Sequence, residues 1–180
     1  QVIEPFADFL VLVERRDGLS QLRLSAPDGV SDVRTIPFPE PVYTLGMQAN
    51  YEWNAAQYRF LYMSPVTPQS TVDYEISSGT WIVRKQVEIP SGYNASHYEC
   101  ARLFATSHDA ARVPISIVYK KGLVRDGHNP TLLYGYGSYG YASEASFDSK
   151  RFSLIDRGFV WAIAHIRGGS EMGRAWYDNG

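Results

Sequence analysis

Leu132-Leu133-Tyr134-Gly135-Tyr136-Gly137-Ser138-Tyr139-Gly140 is an apolar run that breaks abruptly into alternating glycine and tyrosine. The apolar part reads as a β-strand over Thr131 to Tyr134, opened by Pro130 and apolar on both faces, as a sheet covered by helices requires. Glycines let the backbone take positive φ and approach a ligand closely, while tyrosines bring phenolic donors and aromatic walls to the same point. A strand that ends this way is expected to form one lip of an active site whose other parts lie outside these residues.

Downstream of this turn, Phe147, Arg151, Leu154 and Ile155 fall on one face at helical spacing and Gly158 stands where a helix would stop, so a helix is expected over Ser146 to Arg157. Phe159 to Ala164 then reads as a second buried strand, ending in His165-Ile166-Arg167-Gly168-Gly169. Strand, turn, helix and strand make a βαβ unit, and in open sheets of that kind ligands gather at the carboxyl ends of the strands. Both glycine turns lie at that edge.

The first half of the chain has a different texture. Phe9 to Val13 and Leu19 to Leu24 are β-rich runs on either side of Asp17-Gly18, a hairpin turn signal, and Tyr58 to Met63, Val72 to Ile76 and Trp81 to Val87 follow, the last two joined through Ser77-Ser78-Gly79. A meander of antiparallel strands at this spacing suits a propeller blade or a sandwich. Pro90-Ser91-Gly92 marks a boundary, after which Glu99 to Thr106 and Val113 to Tyr119 form two more strands joined by Ser107-His108-Asp109, with Pro114 tolerable if the second lies at an edge. Residues 1–90 and 91–180 are thus expected to be pieces of two domains, the more so because Gln1 is not a methionine and no closing element follows Trp176-Tyr177.

Composition narrows the function. Of the 180 residues 44% are hydrophobic and 20% charged, with no apolar run long enough to span a membrane, and the net charge of -2 with scattered lysines and arginines leaves no footprint for nucleic acid. The single cysteine, Cys100, forms no internal disulfide, reads as a small buried hydrophobe and fits a reducing, cytoplasmic setting. His97, His108 and His128 sit in loop-like surroundings without a partner at metal-ligand spacing, so no metal or other cofactor is expected.

Two readings of the glycine turn compete. Gly135-x-Gly137-x-x-Gly140 satisfies the dinucleotide fingerprint formally, but Tyr141 to Ala145 separates it from the helix, and the second strand ends in His165 and Arg167 where an acid should hold the ribose. The other reading is the strand-to-helix loop of an α/β-hydrolase, which supplies one donor of the oxyanion hole.

The hydrolase reading is where a resemblance becomes specific. The run from Leu132 to Gly140, then Ser153-Leu154-Ile155-Asp156-Arg157-Gly158-Phe159, then His165-Ile166-Arg167-Gly168-Gly169-Ser170-Glu171-Met172-Gly173 with Trp176-Tyr177, resembles the prolyl oligopeptidase family of serine peptidases, and most of all its oligopeptidase B branch. The likeness is dense from about Tyr93 to Gly180 and looser upstream. It implies the end of a seven-bladed β-propeller followed by the N-terminal part of an α/β-hydrolase domain, acting on short peptides after Lys or Arg, with relatives that cut after proline or release dipeptides left open. It also implies that Tyr136 stabilises the tetrahedral oxyanion beside a backbone amide, that Tyr139 lines the pocket for the residue before the scissile bond, and that Glu144 meets basic substrate side chains. Ser146 stands where that branch leads one to expect an acid. A preoriented phenol donating to charge that appears only in the transition state is worth ~3 kcal/mol, and a carboxylate is the natural partner of arginine or lysine.

Plainer readings stand beside these. The tyrosines at 134, 136, 139 and 141 could be packed turn aromatics, although glycine spacing at a strand end favours the site role for Tyr136; Glu144 could be a solvated residue before a helix; Arg167 is better read as tying its loop to a carboxylate than as touching substrate. His165, at a strand end in the cleft, is open to a contact. No Gly-x-Ser-x-Gly occurs, since Ser138 follows Tyr136 and Ser170 precedes Met172 at the flanking positions. The resemblance puts all three triad residues after the Arg-Gly-Gly segment, so these 180 residues are expected to hydrolyse nothing alone.

Overall fold

The computed structural model describes residues 2–180. Three four-stranded sheets follow one another along the chain. The first is an antiparallel meander of β1 (Val2–Pro5), β2 (Leu10–Arg16), β3 (Leu19–Ser25) and β4 (Arg34–Thr35). Its central hairpin turns at Asp17 and Gly18, whose φ values of 51° and 81° are those of a two-residue turn with both central residues left-handed. The second repeats the pattern with β5 (Thr44–Met47), β6 (Gln57–Met63), β7 (Ser70–Glu75) and β8 (Trp81–Gln86).

Alternation decides how these two sheets meet. Tyr58, Phe60 and Tyr62 of β6 point the same way, and with Val72 and Tyr74 they pack against Val11, Leu22, Leu24 and Ile36 of the first sheet in one shared core. Phe38, between the sheets, stacks on Tyr43 and meets Trp81 edge-on. On the opposite face of β7, Asp73 is 3% exposed and holds Arg59 through two oxygens, at 2.6 and 2.8 Å, and Arg84 at 2.7 Å. Hydrogen bonds from Arg59 and Arg84 hold its carboxyl below the ordinary aspartate range against the opposing effect of burial. A lowered folded value stabilises above the unfolded value near 3.9, and that stability is lost as pH falls through the folded value. Asp73→Asn is therefore expected to cost about 2 kcal/mol at neutral pH in urea denaturation, with the difference shrinking below about pH 4. A pH-independent difference would contradict this role.

The third sheet holds β9 (Tyr98–Thr106), β10 (Arg112–Lys120), β11 (Thr131–Tyr134) and β12 (Val160–Ala164), ordered β9-β10-β12-β11. β11 and β12 are parallel, as the βαβ pattern requires, whereas β10 runs antiparallel to both of its neighbours. Pro114 thus lies in an interior strand instead of at an edge. It is accommodated because β12 stops at Ala164 beside Ile115, and the Pro114 carbonyl accepts from the His165 N–H just past that end.

Two further expectations are corrected. The helix over Ser146 to Arg157 is a short 3-10 turn, Ser149–Arg151, running into α1 (Phe152–Ile155). Asp148 is extended and caps the turn by accepting from the Lys150 N–H, so helical backbone cannot begin earlier; Phe147 instead joins Tyr93 and Phe152 in an aromatic cluster. Gly158, at φ 90°, ends the element where expected. β11, expected to be covered on both faces, has Leu133 64% exposed and lies at the edge of the sheet, paired with β12 alone; Leu133 projects from a face of the sheet, so its exposure shows that face uncovered among the described residues. A final short helix, α2 (Arg174–Asp178), closes the described chain.

Candidate active site

Two glycine-bearing loops meet at the carboxyl ends of β11 and β12, and their backbones touch. A Cβ on Gly137 (φ 62°) would lie 2.5 Å from the Arg167 carbonyl oxygen, and one on Gly168 (φ 88°) would overlap the Gly137 carbonyl. Gly140 N–H donates to the Gly168 carbonyl at 2.9 Å, and Gly168 N–H donates to the Trp176 carbonyl at 3.0 Å. The Trp176 indole N–H reaches the His165 carbonyl at 3.0 Å. Arg167, at 2.5 Å from Asp109 in the β9–β10 turn, does what its plainer reading expected and ties the loop to a carboxylate. The glycines are required by this close approach of main chains as well as by the turns themselves.

On this support the tyrosines open to one side. Tyr134, Tyr136, Tyr139, Gly140 and Tyr141 line a cleft of about 700 Å³. Tyr136 is 47% exposed and meets Tyr141 edge-on, with ring centroids 5.8 Å apart. Tyr139 is 88% exposed and sits at φ 55°, a conformation uncommon for a bulky side chain and one that concentrates at functional sites. Residues 136 and 139 are thus brought together at one opening.

Glu144 is not in that opening. It lines a smaller adjoining recess with Tyr134, Tyr141, Ser146 and Arg151, and its carboxylate is engaged from the first two sheets: Arg15 Nη2 lies 2.5 Å from Oε1, and Thr44 Oγ1 donates to Oε2 at 3.4 Å. The same edge is touched by the β2–β3 hairpin tip, where Arg102 of β9 donates to the Asp17 carbonyl. Cys100 packs against the Val118, Phe152 and Ile155 cluster, and burial pushes its thiol up to about 12, which keeps it protonated and inert at neutral pH. Among the described residues no group of three or more His, Cys, Asp and Glu is placed to hold a metal. No helix follows Gly140 until the turn at Ser149, so the helix N-terminus that a dinucleotide phosphate would need is not at the glycines.

Sequence reasoning left His165 open to a contact but did not foresee the partners it meets, Ser116 and Glu171. His165 is 8% exposed and its Nε2 lies 2.7 Å from Ser116 Oγ; its Nδ1 lies 3.8 Å from Oε1 of Glu171, which is 3% exposed and accepts from the Ser143 N–H at 2.8 Å. Burial pushes the Glu171 carboxyl up, but the His165 ring and the N–H groups of Ser143 and Glu171 outweigh it, leaving the group below the ordinary glutamate value. The sequence signals were His165 at the strand end and the charged residue following the Arg-Gly-Gly turn; nothing in the sequence pointed to Ser116.

Among the described residues no helix is long and apolar enough to cross a membrane. Residues 1–87 match the prolyl oligopeptidase N-terminal beta-propeller domain, and residues 145–180 match the prolyl oligopeptidase family. The chain is 42% identical to dipeptidyl aminopeptidase BI of Pseudoxanthomonas mexicana over 98% of its own length and 24% of that protein's. It is 34% identical to protease 2 of Moraxella lacunata over 100% of its own length and 26% of that protein's. Oligopeptidase B from Trypanosoma brucei, in a closed form with covalently bound antipain, superimposes with a TM-score of 0.83 at 39% identity, covering 100% of this chain and 26% of that one. The chain therefore spans about a quarter of the length of the relatives it matches. Its two meanders are propeller sheets and its third, mixed sheet is the beginning of an α/β-hydrolase fold; by this architecture and these matches, the chain belongs to the prolyl oligopeptidase family.

Proposed function

We propose that this chain is the segment of a cytoplasmic serine oligopeptidase in which the propeller closes and the catalytic domain opens, dividing near residue 90, and that the complete protein cleaves short peptides after Lys or Arg. The observation that carries the reading is the half-exposed Tyr136 at the end of a parallel strand, braced on the Arg167-Gly168-Gly169 loop and open to a cleft. In this reading a nucleophile from elsewhere in the complete protein attacks the scissile carbonyl, the Tyr136 phenol donates to the oxygen as it gains charge, and Tyr139 forms a wall for the preceding side chain. The 180 residues alone, without a glycine-flanked serine elbow, turn over no peptide.

Preference for a basic side chain rests on Glu144. Its 2.5 Å contact with Arg15 is the chemistry a substrate guanidinium would use on displacing Arg15, which supports this reading. Glu144→Gln in the complete protein is expected to raise KM for Lys and Arg substrates about fivefold and leave kcat unchanged, as loss of a partly exposed ion pair does. An unchanged KM would assign Glu144 to the Arg15 contact alone.

A second reading, release of dipeptides, is favoured by the 42% identity to a dipeptidyl aminopeptidase. One panel of reporter peptides separates the possibilities: Lys, Arg or Pro before the scissile bond, each with a free or a blocked amino terminus. The proposal expects cleavage of blocked Lys and Arg peptides; cleavage confined to free dipeptides supports the second reading, and cleavage after Pro alone overturns the basic preference.

A further inference from the structure

Ser116, His165 and Glu171 form a column in the order hydroxyl, imidazole, carboxylate, yet they are 3%, 8% and 3% exposed, so no substrate reaches them as a second hydrolytic centre. Their placement points elsewhere. Ser116 lies in the middle of β10 and His165 immediately follows β12, while Glu171 comes from the loop after the Arg-Gly-Gly turn. Through the Ser143 N–H the carboxylate also grips the segment that returns from the cleft. Gly169 leaves room for this: a Cβ there would strike Glu171 Oε2. Two residues before Ser143 stands Tyr141, whose N–H donates to the Ser138 carbonyl and whose ring packs edge-on against Tyr136.

We propose that Glu171 is a positioning residue for the Tyr136 hydroxyl, clamping Ser143 and the Gly168-Gly169 loop so that Tyr141 holds the Tyr136 ring at one angle. This rests on the oxyanion role proposed for Tyr136. The chemistry favours a device over mere filling: a buried carboxylate is disfavoured unless hydrogen-bonded, and with Oε2 lacking a hydrogen-bond partner among the described residues Oε1 depends on the Ser143 N–H, so Glu171 holds Ser143 in one arrangement. The clamp acts on geometry, and a donor displaced by a fraction of its hydrogen-bond length loses much of its value in the transition state.

The test is a double-mutant cycle in the complete protein, with turnover expressed per active site titrated by a phosphonylating serine reagent. Glu171→Ala is expected to lower kcat about tenfold with KM changed less than twofold, and to cause less than a twofold further loss in the Tyr136→Phe background. The same loss in both backgrounds, or fewer titratable sites with unchanged turnover per site, would overturn the clamp and leave only a structural role. Where Glu171→Ala yields no titratable sites, Glu171→Gln carries the same cycle, with about a threefold loss expected because the charge-assisted bond to Ser143 is weakened. Should Tyr136→Phe itself leave kcat unchanged, the oxyanion role fails and the clamp with it; a slow Tyr136→Phe enzyme with additive Glu171 effects defeats the clamp alone.

Discussion

Tyr136→Phe in the complete protein is expected to lower kcat about 10²-fold and leave KM within about twofold of wild type, because in the proposed oxyanion role the hydroxyl contributes only where charge has developed on the substrate oxygen. The ring of Tyr136 stays the same size in the phenylalanine variant, so its edge-on contact with Tyr141 persists and the cleft keeps its shape. The substitution thus removes one donor and little else. Single-turnover kinetics on an Arg reporter peptide, with the acylation step resolved, separates the two quantities. A raised KM with full kcat would make Tyr136 a binding wall of the kind proposed for Tyr139.

Gly168→Ala is the second large effect. At φ 88° an alanine is strained, and its Cβ would overlap the carbonyl of Gly137, a backbone atom that cannot swing aside as a side-chain terminus can. Strain and overpacking together are expected to cost about 4 kcal/mol and to lower the melting temperature of the complete protein's catalytic domain by roughly 10 °C. Gly92 provides the control: it has φ 81°, but a Cβ there would meet nothing within 4 Å, so Gly92→Ala carries the conformational term alone, about 1 kcal/mol. Equal melting temperatures for the two variants would mean that the loops can separate without consequence, and that the Tyr136 turn is not braced as described.

Much of this architecture was legible from residue patterns, because it rests on local chemistry. Asp17-Gly18 demanded a tight hairpin, Phe159 to Ala164 could only be a buried strand, and the Gly-Tyr run had to be a strand end that opens outward. Periodicity misled where an apolar residue served another partner: Phe147 sits at helical spacing but belongs to an aromatic cluster with Tyr93, far away in sequence. The two-residue β4 and the four-residue β5 are too short for alternation to register. Glu144 was legible as a carboxylate near a cleft but not as the partner of Arg15, a contact set by the packing of two units rather than by either sequence segment. The partners of His165, Ser116 and Glu171, were hidden for the same reason, since three separate elements must come together before hydroxyl, ring and carboxylate meet. Contacts between distant residues need the tertiary fold, and no motif carries them.

The most direct measurement is a crystal structure of the complete protein with a peptide aldehyde captured as its tetrahedral adduct. The Tyr136 hydroxyl is expected within about 2.7–3.1 Å of the adduct oxygen, sharing it with a backbone N–H. An adduct oxygen held by backbone groups alone, with the Tyr136 phenol turned into solvent or stacked on the peptide, would contradict the role on which this mechanism depends.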